Sequence, residues 1–273
     1  DNRIGGRTTP KGTRPAGNRH PRTAEHGVDD PGGDVPDLIR GLRALVAAPT
    51  PYDLMAVASS FVEIATERPL KPLGPERMAQ FEGPGFLGSL VDSPRPELIV
   101  RGKAMATLLP DTAVVRRLRN QALPSGAPVW ASTLDTIEVV GTFVQIEPLR
   151  DGENLWVCVR WPHGSEATAV MFVDHNMGSV LKDAFMIPAG AAAVMDMMRR
   201  ASDDAIDLTP IDPADLRARV TWSIERGDRT LPLFETETWP MCRPLVEWFL
   251  AHLPDGGAGW EFPDWSQAER EEL

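Results

Sequence analysis

The chain has 273 residues and carries 28 basic against 39 acidic side chains, which gives a formal net charge of −11 at pH 7. Hydrophobic residues make up 42% of the chain and charged residues 25%, which is typical of globular proteins and excludes a wholly disordered polypeptide. No apolar run approaches the about 20 residues of a membrane-spanning helix, so we expect no membrane partner.

The first 35 residues are rich in Gly, Pro, Arg, Thr and Asn, and residues 1–26 carry six basic and two acidic side chains. Such a composition cannot bury enough apolar surface to offset its ordering entropy, so we expect a disordered basic tail over 1–35. The basic side chains between residues 3 and 22 permit contact with nucleic-acid phosphates. A solvated tail, or a tail that folds back onto the acidic remainder of the chain, are the alternatives.

Residues 36–130 show the apolar periodicity of helices. After the first two helices, a Pro- and Gly-rich stretch leads to a short helix that is expected to break at Gly83-Pro84-Gly85. Asp111 is the expected cap of the last helix in this region. The helices after the first two are predicted near 76–82, over 95–108 and over 112–122.

The apolar period changes to two over residues 131–175, as in β-strands. Tight turns are predicted at 150–154 and 162–165, and such short connections join antiparallel neighbours. The sequence therefore predicts a central antiparallel β-meander, to which residues 179–187 add either a fourth strand or a short helix. The three main strands are predicted over 135–147, 155–161 and 166–174.

The C-terminal region is again helical in pattern, and its residues 196–273 contain 17 acidic and eight basic side chains. Asp212 followed by Pro213 is typical of a helix start. The fold class is therefore α+β, and its parts are the tail over 1–35, a helical region over 36–130, and the sheet with acidic C-terminal helices over 131–273. The last two parts form either two domains or one. The C-terminal helices are predicted over 189–201, 213–226 and 241–253.

The two cysteines, Cys158 and Cys242, lie in apolar sequence surroundings and do not form the disulfide framework of a secreted protein. Their use as small buried hydrophobic residues is typical of a reduced protein, so we expect a cytoplasmic location.

Motifs of several common enzyme classes are absent from the sequence, including G-x-x-x-x-G-K-[ST], H-E-x-x-H, C-x-x-C and G-x-S-x-G. This disfavours P-loop NTPases, zincins, structural zinc modules and α/β-hydrolases. We expect no cofactor, and the sequence favours a protein without enzymatic activity but does not decide the question.

One constellation has the residue types of a reactive site. The third predicted strand ends in Asp174-His175-Asn176, and Lys182-Asp183 follow after a glycine turn. Polar groups at a strand end sit on a rigid scaffold, where functional residues are common. Asp174 and His175 are candidate metal ligands, and the candidate catalytic residues are Asp174, His175 as a general base, Lys182 to steady an anionic oxygen, and Asp183.

The same residues also fit a purely structural turn. Asp174 and Asn176 can cap a tight turn by accepting hydrogen bonds from nearby backbone N–H groups, and Gly178 can supply a left-handed backbone conformation. Lys182 and Asp183 are then surface charges. The sequence does not separate the two interpretations, because no second carboxylate–histidine motif completes a site.

Several short segments in the second half of the chain are similar to segments of a known protein family. They are Asp151-Gly152-Glu153-Asn154, Val159-Arg160-Trp161-Pro162, Val173-Asp174-His175-Asn176, Lys182-Asp183-Ala184-Phe185, Thr238-Trp239-Pro240 and Arg243-Pro244-Leu245-Val246-Glu247-Trp248. Over roughly 138–265 the chain resembles an uncharacterised family of actinobacterial proteins. The resemblance implies no activity, and the longer members of that family imply that this chain can be an N-terminal portion.

We therefore expect a non-catalytic interaction or regulatory protein with a protein partner. The alternative is a metal-assisted hydrolase centred on Asp174, His175 and Asp183. A weaker alternative is nucleic-acid binding through the basic tail. The first two hypotheses differ in whether the fold brings those three side chains together.

Overall fold

The computed structural model describes residues 34–66, 83–147, 149–201, 208–230, 236 and 238–260. Almost all of the predicted basic tail and the whole of the short helix predicted near 76–82 lie outside these residues. Within them, the chain forms eight α-helices, a short 3₁₀ helix and one antiparallel sheet of five strands. This confirms the α+β class predicted from the sequence. No helix among the described residues has the length and apolar character needed to cross a membrane.

Five helices precede the sheet, and three follow its fourth strand. The first group is α1 (Asp34–Ala47), α2 (Tyr52–Ala65), α3 (Gly83–Val91), α4 (Pro96–Leu108) and α5 (Ala113–Asn120), followed by the 3₁₀ helix Val129–Thr133. The second group is α6 (Ala191–Ala201), α7 (Pro213–Asp228) and α8 (Arg243–Leu250).

The sheet is a four-stranded meander with a very short fifth strand at one edge, in the order β4-β3-β2-β1-β5. All neighbours are antiparallel, so the predicted meander is confirmed and residues 179–187 contain a strand rather than a helix. The strands are β1 (Glu138–Ile146), β2 (Gly152–Arg160), β3 (Glu166–Asp174), β4 (Val180–Ile187) and β5 (Thr209–Pro210).

The two faces of the sheet are covered to different extents. On β2 and β3 the odd-numbered residues, such as Leu155 and Met171, belong to the main hydrophobic core beneath the helices. The even-numbered Trp156 and Val170 point to the opposite face, as strand geometry requires, and there they pack against Val194 of α6. We call these the core face and the outer face.

Local signals in the sequence located two element boundaries incorrectly. Gly83, Pro84 and Gly85, where a break was expected, belong to helix α3, since a proline is compatible with the first turn of a helix, whose N–H groups have no intrahelical acceptor. Helix α5 is capped by Thr112, whose hydroxyl accepts a hydrogen bond from Val115 N, while Asp111 pairs with Arg116 instead. The predicted Asp212 cap of α7 is confirmed by bonds from two backbone N–H groups.

Candidate functional site

The fold separates the two adjacent residues that the sequence singled out. Asp174 is the last residue of β3, and like the other even-numbered residues of this strand it is on the outer face. His175 is on the core face, as is Val173 two residues earlier. Their contacts agree with this placement, because Asp174 pairs with Lys182 of β4 and His175 pairs with Glu153 of β2. The structure therefore places the two candidate metal ligands in different surroundings.

On the outer face, Asp174 and Lys182 form an ion pair across the β3–β4 hairpin. Lys182 Nζ donates a 2.9 Å hydrogen bond to Asp174 Oδ2 and lies 6.0 Å from the ring centroid of Phe172. The carboxylate is nearly buried at 7% exposure, and its Oδ1 has no hydrogen-bond partner among the described residues. Lys182 thus neutralises Asp174 in the structure.

On the core face, His175 lies in a network of polar and aromatic groups. Its Nδ1 is 2.9 Å from Ser179 Oγ, and its Nε2 is 3.5 Å from Glu153 Oε1. The other carboxylate oxygen of Glu153 lies 3.4 Å from a guanidinium nitrogen of Arg219 on α7. Both imidazole nitrogens therefore face a neighbouring polar side chain, and Glu153 links the strand to the helix.

The network also holds the segment that follows α8. The ring of Trp260 meets the His175 ring edge-to-face with centroids 5.0 Å apart, and the Arg219 guanidinium lies 4.9 Å from the Trp260 ring. The Trp260 indole N–H donates to Ser223 Oγ and to Arg219 O, and Arg219 Nε donates to Gly259 O. His175 is thus part of the contact that fixes residues 259–260 against α7.

Asp183 bonds to a third, separate set of groups. Its Oδ1 accepts a 2.9 Å hydrogen bond from the backbone N–H of Ala184 and a 2.8 Å bond from Thr238 Oγ1. The hydroxyl of Thr236 donates to the same oxygen. Because β4 is an edge strand, the Ala184 N–H points away from the sheet and would otherwise lack a partner in the strand ladder. Asp183 is a cap for this sheet edge.

Two further side chains cap the same edge. The phenol of Tyr52 donates to Met186 O at 2.8 Å, and the thiol of Cys242 donates to Ala184 O at 3.2 Å. Burial raises the pKa of Tyr52 to about 12, and burial likewise raises the pKa of Cys242 to about 12. Both groups are therefore protonated donors at neutral pH, and helices α2 and α8 close the edge of β4.

Metal ligation has little geometric support in the part of the chain that the structure describes. No group of three or more His, Cys, Asp or Glu residues is placed there to hold a metal ion. Of the four predicted site residues, the fold pairs only Asp174 with Lys182, while His175 and Asp183 have partners of their own. Their assignment as catalytic or metal-binding groups stays a prediction.

Glu153, Arg219 and Trp260 complete the surroundings of His175 and are not among the predicted site residues. A signal for Glu153 exists in the sequence, because the tight turn that joins β2 to β3 fixes the pairing of Glu153 with Val173. Arg219 and Trp260 are 44 and 85 residues beyond His175 and reach it through tertiary packing, for which the sequence offers no local signal.

The turn after Asp174 contains two residues with positive φ. Gly178 has φ +82° and confirms the predicted left-handed position, and Ser179 follows with φ +58°. The backbone N–H of His175 donates to Asp151 O at 2.8 Å, which joins the β3–β4 turn to the β1–β2 turn. The two turns therefore form one surface at one end of the sheet, which we call the turn end.

Three large apolar side chains are exposed at the turn end. Ile146 at the end of β1 is 52% exposed, Leu149 in the β1–β2 turn is 85% exposed, and Met177 in the β3–β4 turn is 40% exposed. Their turns are connected by the His175–Asp151 hydrogen bond, and Ile146 pairs directly with Glu153. Large apolar side chains exposed on neighbouring turns are candidates for contact with another molecule.

Comparisons of the chain with protein-family models, with curated proteins and with solved structures give no match. The resemblance to an actinobacterial family therefore stays a prediction from the residues.

Proposed function

We propose that this protein is a non-catalytic interaction module that binds a protein partner through the turn end. The observation that carries the proposal is the exposure of Leu149 and Met177 on two turns that are hydrogen-bonded to each other, and of Ile146 at the adjoining end of β1. Exposed apolar residues cost free energy in water, and a partner that covers them recovers it at about 25 cal/mol per Å².

The polar network beneath the turn end supports this function by making the surface rigid. Glu153 and Arg219 tie the start of β2 to α7, and His175 packs against Trp260. A surface that is already ordered loses little conformational entropy on binding, so more of the contact energy appears as affinity. In this interpretation His175 positions the turn and does not transfer protons.

The hydrolase alternative requires Asp174, His175 and Asp183 to act on one substrate. Their bonding to Lys182, to Glu153 and to the threonines of the sheet edge favours the interaction function instead. Nucleic-acid binding through residues 3–22 concerns residues outside the described ranges and remains a separate hypothesis, whose test is a steep loss of affinity with added salt.

The test uses Leu149→Asp and Met177→Asp in the full chain, each compared with Val129→Asp. Val129 is 86% exposed in the 3₁₀ helix, so its substitution adds the same charge at an apolar position that is as exposed as Leu149 and more exposed than Met177. All three variants should keep the wild-type thermal midpoint, because exposed side chains contribute little to stability. Proteins that co-purify with each tagged variant are then quantified by mass spectrometry.

We expect one partner to be retained by wild type and Val129→Asp and to fall at least about tenfold with Leu149→Asp and Met177→Asp, as the loss of about 1.4 kcal/mol of binding free energy predicts. The same partner should bind the purified wild-type protein directly. If the four proteins retain the same set, or if Val129→Asp loses the partner equally, the turn end is not the interface.

A further inference from the structure

A buried arginine in the helical region has no counter-ion among the described residues. Arg101 lies in the middle of α4 and is only 3% exposed. Its Nε and Nη2 atoms are buried and have no hydrogen-bond partner in the part of the chain that the structure describes. A buried charge without a partner costs several kcal/mol in proteins, so buried arginines are normally paired.

Two phenylalanines hold the guanidinium group in place. Its central carbon lies 3.7 Å from the ring centroid of Phe61 on α2, which places the group directly over the ring face, and 5.8 Å from the ring centroid of Phe86 on α3. Both rings are only partly buried, so this cage of three residues borders the molecular surface. The stacking fixes the plane of the guanidinium and leaves its edges to make hydrogen bonds.

The two unpartnered nitrogens form one particular edge of the guanidinium. The N–H of Nε and one N–H of Nη2 point in parallel in the plane of the group, and this pair of donors matches the two oxygens of a carboxylate. Both donors of the edge are unused within the described residues. Arg101 is therefore oriented for bidentate recognition of an oxyanion.

The nearby acidic residues do not fill this role. Glu97, one turn earlier on α4, accepts a 3.0 Å hydrogen bond from Arg43 Nε. Glu63 on α2 is 6% exposed, and neither of the two buried nitrogens of Arg101 bonds to it. Burial lowers the pKa of Arg101 to about 10, because the charged guanidinium is removed from water and no described carboxylate compensates for this.

We propose that Arg101, with Phe61 and Phe86, forms a binding site for a small monocarboxylate that carries an apolar body. The carboxylate accepts two hydrogen bonds from Nε and Nη2, and the apolar body packs against the phenylalanine rings. This site is independent of the turn end, which lies on the sheet.

Two features of the surroundings select this ligand class. A single guanidinium neutralises one negative charge, whereas a phosphate dianion would bring a second negative charge into a buried position without a counter-ion. The rings of Phe61 and Phe86 supply apolar surface that a bare inorganic anion cannot use.

The experiment measures the thermal midpoint of the full chain with benzoate, octanoate, acetate or inorganic phosphate at constant ionic strength. We expect benzoate or octanoate to raise the midpoint in a concentration-dependent way, because a ligand that binds only the folded state stabilises it. Acetate and phosphate should have little effect. Arg101→Met should abolish the rise, and Arg117→Met should retain it, because Arg117 is an exposed arginine of the neighbouring α5.

Arg101→Lys is a second variant, which keeps the charge and loses the bidentate edge. We expect it to need an about tenfold higher concentration of benzoate or octanoate for the same rise in the midpoint. Without ligand, Arg101→Met should leave the midpoint unchanged or higher, because it removes an unpaired buried charge. A flat response of the wild type to all four anions, an equal response in Arg101→Met, or a fall of roughly 10 °C in Arg101→Met without ligand would each overturn the proposal. The last outcome would show that the chain supplies its own counter-ion.

Discussion

Two arginines that are buried among the described residues, Arg243 and Arg101, have opposite surroundings. Arg243 at the start of α8 is 8% exposed, and it donates to both oxygens of Asp228 at 2.6 and 2.8 Å and to Glu247 at 2.7 Å. Burial by itself lowers the pKa of Arg243, but the bonds to Asp228 and Glu247 outweigh it and raise the pKa overall. Arg243 therefore holds the end of α7 against α8, whereas the Nε and Nη2 atoms of Arg101 have no hydrogen-bond partner among the described residues.

Arg243→Met should destabilise the fold by about 2 kcal/mol, because three charge-assisted hydrogen bonds are lost while the two carboxylates remain partly hydrated. The matched control is Arg160→Met, since Arg160 also bonds a carboxylate but lies half-exposed on β2. It should change stability by at most about 0.5 kcal/mol. Urea unfolding of the full chain measures both, and equal effects would show that the buried pair has no special role.

Tyr52 offers a direct measurement of how the sheet edge is capped, because it is the single tyrosine of the chain. Burial, reinforced by the neighbouring Asp53, raises its pKa from the ordinary 10.0 to about 12. A raised pKa means that its stabilising contribution is complete below about pH 10 and is lost as the pH rises toward 12. Tyrosinate absorbance of the folded protein should therefore titrate near pH 12, and that of the urea-unfolded protein near pH 10. Coincident titrations would show that the phenol does not cap β4.

At the scale of elements, the candidate catalytic residue Asp183 has a structural role, because β4 is an edge strand whose outward backbone groups need partners. Asp183→Ala removes the acceptor of the Ala184 N–H and of two threonine hydroxyls. We expect a loss of about 1–3 kcal/mol in unfolding free energy, because the part-buried Ala184 N–H is left without a partner. Asp183→Asn keeps the oxygen and should lose clearly less. As a control, Asp196→Ala on the exposed side of α6 should be neutral. If Asp183→Ala were equally neutral, the capping role would be wrong.

Periodicity predicted the elements of this protein better than the partners of its polar residues. The change from period 3.6 to period two located β1, β2 and β3, and the short turns between them implied the antiparallel order. The placement of Asp174 and His175 on opposite faces of the sheet also follows from strand alternation, so the sequence could have predicted it. The Arg219–Trp260 contact and the capping of β4 by Tyr52 depend on how distant helices pack, which no local pattern encodes.

At the scale of the whole molecule, one hydrophobic core joins the helical region to the sheet. Leu54 and Met105 of the helical region belong to the same buried cluster as Val157 and Leu245 of the second half. A buried hydroxyl reinforces the junction, since Ser59 Oγ of α2 donates to Met241 O at 2.9 Å and accepts from Leu245 N at 3.2 Å. We therefore expect residues 36–130 and the sheet region to unfold together.

Leu245→Ala tests this expectation at the junction itself. Leu245 is fully buried on α8, which packs against α2 on one side and β2 on the other, so the substitution should cost about 2–5 kcal/mol. In hydrogen exchange of the full chain followed by mass spectrometry, the slowest amides of α4 and of β3 should accelerate by the same factor, because both exchange through the same global opening. Leu42→Ala, at a buried position of α1 far from α8 in sequence, provides a comparison with a core residue of the helical region alone. It should also accelerate both elements equally if the core is one cooperative unit. Acceleration of α4 without β3 in either variant would show that the two regions are separate domains.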